Sequence, residues 1–416
     1  KGSPPLVHPS SSLGLPTVLN TYLLCFNALV FVMFSCLFPT GFAMSLSVIL
    51  FMLGLYIFLV QNSAARIRLL TYEKFGLALF AWLAISCFWS EGTVGANANA
   101  LLEYRFYIML PVISVAYVFV AKRCSSTIIL AVVGGGIALT ASYLLGFQFI
   151  TIEGASRSLA NRIYHGFIIS CWVLICYAVA VYGMDHKAKV LLVLLCIAGV
   201  INVLFIEDGR TGYLQVIGIS ILISMLSLRR SYAVLAICAA TLLLFLTLQF
   251  PNTFSERIWS TTGHLMRILS GAEPAAENVA RLEWYIAAAR IGLSNWLIGF
   301  GVGDVSNTLL AAHEQGLFQL RTDNIHNEFL NMFLAGGLPA VLLYVAFLSS
   351  VALEGVKMLN RNKSLCVFFL GIAIIVGIGS MFNSIIKDFG EKHAILVLLA
   401  LGGSVLRIYN RDGRVV

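Results

Sequence analysis

The chain has 416 residues, 59% of them hydrophobic and only 11% charged, with a mean hydropathy of +0.91 and a formal net charge of +8. Soluble domains carry about a quarter charged residues, so this composition cannot cover a water-facing surface and excludes a soluble globular protein. The nine cysteines mostly lie inside apolar runs and form no CxxC pair, which fits small packing residues rather than disulfides or metal ligands.

Residues 1–16 are polar and Pro-rich, without the basic start and small-residue cleavage site of a signal peptide, so the first span is expected to be retained. Apolar runs then follow near 17–38, 42–60, 75–89, 105–120, 126–146, 164–183, 188–206, 212–228, 231–250, 325–350, 365–385 and 393–408. Each can cross a hydrocarbon core of about 30 Å as a helix, the open-chain element that satisfies its own backbone there. The pattern predicts an all-α polytopic membrane protein with about twelve transmembrane helices. Residues 1–250 form a transmembrane domain with spans one to nine, 251–324 an outer loop with amphipathic helices, and 325–416 a transmembrane domain with spans ten to twelve.

With both termini inside, the short inner loops carry Arg66, Arg68 and Lys74, then Lys122 and Arg123, Lys187 and Lys189, Arg229 and Arg230, Lys357, Arg361 and Lys363, and a tail with Arg407, Arg411 and Arg414. That is the basic bias expected of cytoplasmic loops. Outside fall Arg105, Arg157, Arg162, Arg210, Arg257, Arg267, Arg281, Arg290 and Arg321, with Lys387 and Lys392. Outer loops normally avoid such charge. The preponderance of arginine, whose planar fork suits phosphate, points to an anionic substrate; pairing with outer carboxylates or lipid headgroups is the structural alternative.

The one long connection, Pro251–Asn324, lies outside, and long structured loops usually carry function. Within it Ser255–Ser270 and Glu277–Leu293 read as amphipathic helices, with Trp259, Trp284, Tyr285 and Trp296 as interface anchors.

Three constellations can carry chemistry. Glu207-Asp208-Gly209-Arg210-Thr211-Gly212 is a polar hairpin whose glycines permit a tight turn toward a phosphate, or a charged turn in which Asp208 neutralises Arg210. Arg281-Leu282-Glu283-Trp284-Tyr285 opens a helix running through Arg290; Arg281 and Tyr285 share a stripe that reaches a headgroup, or Glu277 and Arg281 form an i,i+4 pair. In Asp323-Asn324-Ile325-His326-Asn327-Glu328 the chain re-enters the membrane, and a histidine at that boundary suits a general base near neutral pH. Asp323, Asn327 and Glu328 are placed to orient its ring, although a lone interface histidine also fits a structural role.

Ser156–Arg162 adds Arg157 and Arg162 at the same depth, and Lys387-Asp388 fits a simple ion pair. Gly299-Phe300-Gly301-Val302-Gly303-Asp304 has no preceding strand, so it reads as a flexible turn and not a dinucleotide fingerprint. There is no DxD or HExxH motif and no cluster at metal-ligand spacing, so no metal and no cofactor is expected.

Arg210 before a span, Arg281-x-x-x-Tyr285, the Gly299–Gly303 turn and His326-Asn327-Glu328-Phe329-Leu330 followed by Gly336-Gly337 together resemble the O-antigen ligase and polymerase superfamily of membrane glycosyltransferases. The resemblance implies a bacterial multi-pass inner-membrane enzyme of lipopolysaccharide biosynthesis with its active site facing the periplasm. It would take an undecaprenyl-diphosphate-linked glycan donor and transfer the glycan to a lipid A-core acceptor among membrane lipids, with no nucleic acid involved. Arg210, Arg281 and His326 map onto the family's catalytic residues, and Arg157, Arg162, Tyr285, Arg290, Asn327 and Glu328 are expected to line the substrate site.

One dominant outer loop favours a ligase over a polymerase, which would use a second lipid-linked glycan as acceptor. A transporter or flippase needs charge near the bilayer midplane, and these spans hold almost none.

Overall fold

The computed structural model describes residues 68–121, 162–180, 186–206, 210–250, 280–318 and 320–412, with scattered residues in 48–56 and 255–266. The spans expected near 17–38 and 126–146, almost all of that near 42–60, most of the Ser255–Ser270 helix, Arg157 and residues 207–209 lie outside the described residues.

Apolar stretches become helices because nothing else satisfies the backbone in lipid, and polar residues mark their ends. In chain order they are α1 (Thr71–Ser86), α2 (Val94–Glu103), α3 (Phe106–Ala121), α4 (Arg162–Ala180), α5 (His186–Ile201, extended by a π-helical turn at Asn202–Ile206), α6 (Arg210–Ser227), α7 (Arg230–Thr247), α8 (Ala280–Ser294), α9 (Val305–Glu314), α10 (Glu328–Met358), α11 (Lys363–Phe382) and α12 (Phe389–Asp412). No strand occurs among the described residues. Thr93, Asn327 and Asn362 cap α2, α10 and α11, each side chain accepting a backbone N–H of the first turn.

Helices stand at every expected span that the described residues reach. By length and composition, four of them (α6, α10, α11 and the Gly390–Asn410 part of α12) can cross a membrane, or five if α2 and α3, bent by 42°, make one broken span. Two helices, α2 and α9, were not anticipated from the sequence. Both are short and polar enough that no apolar run announces them.

The helices pack as a bundle with α10 between α1 and α11, α12 against α3, and α4 against α5, α6 and α11. Phe106, Tyr107, Tyr344 and Phe347 form an aromatic cluster, the Tyr107 and Phe347 rings meeting edge to face at 5.4 Å. Lipid supplies no hydrophobic drive between helices, so close backbone approach and polar ties matter more than in water. A Cβ on Gly212 would lie 2.9 Å from Cα of Gly166, so these glycines let α6 close on α4. Gln215 Nε2 donates to the Ile375 carbonyl at 3.0 Å, and Arg407 Nη2 meets Glu73 Oε2 at 2.5 Å, tying α12 to α1.

α10 is not one straight rod. Gly337 sits at φ 67°, ψ −161°, two residues before Pro339, and the first segment folds back until the Phe329 ring lies 5.3 Å from that of Tyr344. The break frees backbone groups that must find partners. Phe300 N–H donates to the Leu334 carbonyl at 2.7 Å, Gly301 N–H to Ala335 at 3.0 Å, and Trp82 Nε1 to Gly336 at 2.7 Å. Gly299 (φ 69°) and Gly301 (φ 95°) let the turn reach in; a Cβ on Gly299 would lie 2.6 Å from the Gly337 nitrogen. The glycine turn expected to be flexible is instead a packed clamp on the α10 break, because its backbone replaces the helical partners lost there.

Candidate functional site

At the end of the bundle where α6 and α10 begin and α11 ends, three segments meet: the turn Asn324–Asn327, the turn Asn383–Asp388 between α11 and α12, and the start of α8. Antiparallel packing explains the meeting. Gln215 of α6 faces Ile375 and Gly379 of α11, so moving toward the start of α6 and the end of α11 brings Arg210 to the level of Phe382 and Asn383. Arg162 opens α4 at the same level, because Gly166 and Gly212 abut one turn and half a turn inward.

His326 is held from three sides. Its N–H donates to Asn324 Oδ1 at 3.1 Å, its carbonyl accepts from the Tyr285 hydroxyl at 3.0 Å, and its Nδ1 lies 3.2 Å from Asn383 Oδ1. Its φ of 55° is left-handed, a conformation that a non-glycine residue keeps only where its surroundings over-determine it. The Trp284 ring lies 6.0 Å from the imidazole, and Trp284 Nε1 donates to the Leu320 carbonyl at 2.8 Å. Burial, and then the nearby Arg281 guanidinium, push the His326 pKa below its ordinary value, so the ring stays neutral near pH 7.

Arg281 and Tyr285, one turn apart on α8, work as a pair. Arg281 Nη1 donates to the Phe382 carbonyl at 3.2 Å, joining α8 to the end of α11. A guanidinium has five N–H donors, so this bond leaves others for an anion. Arg290 lies two and a half turns along α8 at 3.6 residues per turn, so it leaves on the side opposite Arg281; it is exposed and does not join the cluster.

Asn327 and Glu328 serve the scaffold in this arrangement. Asn327 Oδ1 accepts from Leu330 N–H at 3.0 Å as the cap of α10, and its Nδ2 donates to the Met381 carbonyl at 2.9 Å. Glu328 is fully buried and accepts from Ile386 N–H at 3.3 Å. Neither touches the imidazole, and Glu328 offers no surface to a substrate. Asp323 is exposed. Arg210 is half-buried where α6 begins.

The residue that orients the ring is Asn383, which the sequence reading passed over as part of an apolar run ending near 385. Its Nδ2 lies 3.4 Å from Glu391 Oε1, so the amide nitrogen faces the carboxylate and the oxygen faces His326. Asn324 Oδ1 accepts from Asn331 Nδ2 at 3.3 Å and Ser384 Oγ at 2.6 Å, which locks the two turns together. The signal available in the sequence was the adjacent polar pair Asn383-Ser384 at the end of an apolar stretch. Asp388, its carboxyl pushed up chiefly by burial, also faces His326, while Lys387 pairs with Glu103 of α2 at 3.4 Å instead of with Asp388.

Neutral imidazole with one nitrogen committed to an amide oxygen can accept a proton at the other. A guanidinium one helical turn from the tyrosine that holds it can receive negative charge. Among the described residues no three or more His, Cys, Asp or Glu side chains are grouped to hold a metal ion.

No curated protein matches the sequence. The family model described as O-antigen ligase matches residues 191–345, a stretch that contains Arg210, Arg281, Tyr285, the glycine clamp, His326 and the Gly337 break but not the Asn383–Asp388 turn. Over those residues the chain is similar to the O-antigen ligase family.

Proposed function

We propose that the protein is an O-antigen ligase. It takes a glycan from an undecaprenyl-diphosphate carrier at the periplasmic face of the inner membrane and joins it to a sugar hydroxyl of lipid A-core. The observation that carries this reading is that His326 and Arg281, both within the stretch matched by that family, are held side by side on the end of α11, His326 by Asn383 and Arg281 by the Phe382 carbonyl.

Asn383 Oδ1 accepts from Nδ1–H of His326, so Nε2 presents its lone pair. The acceptor hydroxyl oxygen attacks the anomeric carbon while Nε2 takes its proton. The bond from the anomeric carbon to the diphosphate oxygen breaks, and its electron pair stays on the diphosphate, where Arg281 and Arg210 balance the charge without a metal. Arg162 and Arg157, expected from the sequence on the same side, are assigned to the anionic part of the substrate. One displacement inverts the anomeric configuration.

The test is a strain lacking the gene, complemented with wild type or His326→Ala. The expected variant phenotype is uncapped core-lipid A together with accumulated undecaprenyl-linked polymer, with a rate loss of about 10²- to 10⁴-fold for purified enzyme. Single repeat units accumulating instead assign the polymerase reaction, and capped core-lipid A at wild-type levels in the variant removes His326 as the base.

A further inference from the structure

A cleft of about 540 Å³ lies at the far end of α8, away from Arg281 and His326, between the end of α8, α9 and the segment that follows α1. Its size falls within the range of small-ligand sites. Trp89 and Phe300 supply aromatic wall, Asn295, Asn307 and Gln315 supply amides, and Glu91 a carboxylate. No lysine, arginine or histidine lines it.

The cleft is built and not a gap between loose segments. Asp304 Oδ1 accepts from Asn307 Nδ2 at 3.1 Å, and Asn295 Nδ2 donates to the Gly299 carbonyl at 2.5 Å. The Trp89 segment is seated on the glycine clamp, since a Cβ on Gly92 would lie 2.8 Å from the Gly303 carbonyl oxygen. The Trp89 indole N–H is buried with no hydrogen-bond partner. Buried donors are almost always paired, so this one calls for an acceptor that the protein itself does not supply.

The lining selects a chemical class. A diphosphate or other anion is disfavoured, because the only charges are carboxylates. An apolar ligand is disfavoured by the amides. An uncharged sugar fits both: amides and carboxylates bond hydroxyls, and a flat aromatic ring covers the C–H face of a pyranose.

Asn295 follows α8, whose rise of 1.5 Å per residue puts it roughly 20 Å from Arg281 along the helix. That is beyond one sugar ring and within reach of a glycan several sugars long. We propose, resting on the transferase reading above, that this cleft is a carbohydrate subsite holding an uncharged sugar several residues from the bond being made. The sugar belongs either to the donor polymer or to the acceptor core.

The experiment uses the full chain in lipid nanodiscs and the variants Asn307→Ala, Gln315→Ala and Trp89→Phe. Binding is read by saturation-transfer NMR with phosphate-free oligosaccharide cut from the host's own envelope glycan by mild acid, a readout that needs no turnover. Each variant is expected to weaken binding about tenfold, the equivalent of one lost hydrogen bond. In transfer assays KM should rise by a similar factor with kcat unchanged, for long donors but not single-unit donors if the donor fills the cleft, or for full but not truncated core if the acceptor does. Oligosaccharide binding unchanged in both Asn307→Ala and Gln315→Ala overturns the proposal, as does an equal KM rise for substrates of every length. If the wild type transfers nothing yet binds the oligosaccharide through these residues, the subsite stands and the ligase reading falls.

Discussion

Asn383 Oδ1 lies 3.2 Å from His326 Nδ1, and the same amide turns its nitrogen to Glu391. The second contact decides the direction of the first, and so which imidazole nitrogen is left with a lone pair. Asn383→Leu should lose the tautomer and lower kcat by about 10- to 100-fold with little change in KM, the cost of one buried hydrogen bond to a reacting group. Initial rates with purified lipid-linked donor check this; wild-type kcat in Asn383→Leu would show that the ring needs no such partner.

The pH dependence follows from the depressed His326 pKa. A base must be neutral to act, and burial together with Arg281 disfavours the charged ring, so the acid limb of the rate should have its midpoint below 6.5. Replacing Arg281 by Gln removes a repelling cation and should move that decline to higher pH while lowering the plateau. A kcat profile measured across about pH 5 to 8 tests both parts. An acid limb centred above 6.5 in the wild type contradicts the assignment.

Arg281→Ala and Arg210→Ala are each expected to reduce transfer by about 10²- to 10³-fold, as for loss of a positioned group that meets developing charge. Arg257→Ala and Arg267→Ala serve as comparisons and should stay near wild type. Lys at 281 or 210 should restore only part of the rate, since an ammonium lacks the fork that binds two oxygens at once. Full activity in both alanine variants at normal protein levels would remove the guanidinium role.

Activity should persist in EDTA, because the leaving diphosphate is to be balanced by fixed guanidinium charge. Purified enzyme that stops turning over on chelation, and resumes with a divalent cation, would show that the arginines do not suffice.

Gly337→Ala should destabilise the protein severely. At φ 67° a side chain costs about 1–3 kcal/mol from backbone strain alone, and its Cβ would also lie 2.4 Å from the Leu297 carbonyl oxygen. Gly377→Ala, where an added Cβ meets nothing within 4 Å, should leave the unfolding temperature unchanged or slightly raised. Thermal unfolding in detergent compares the two, and equal midpoints would mean that the α10 break adapts to a side chain.

The sequence by itself determined that the chain is made of apolar helices and where the longer ones fall, and it singled out Arg210, Arg281, Tyr285 and His326 as candidates. These are local properties: composition sets the solvent, apolar runs set the helices, and an arginine or histidine at the mouth of a span stands out against its neighbours. What only the tertiary structure decided is which turns meet. Asn383 reaches His326 from 57 residues away, so no local pattern announces it, and its apolar flanks hide it within a span. Asn327 and Glu328 look like ring partners because they adjoin His326, yet the helix start directs one to cap α10 and the other into the interior. The break at Gly337 and the glycine clamp that answers it are likewise one feature written in two distant places, because a backbone bond lost in one segment can be replaced only by another segment that folding brings beside it.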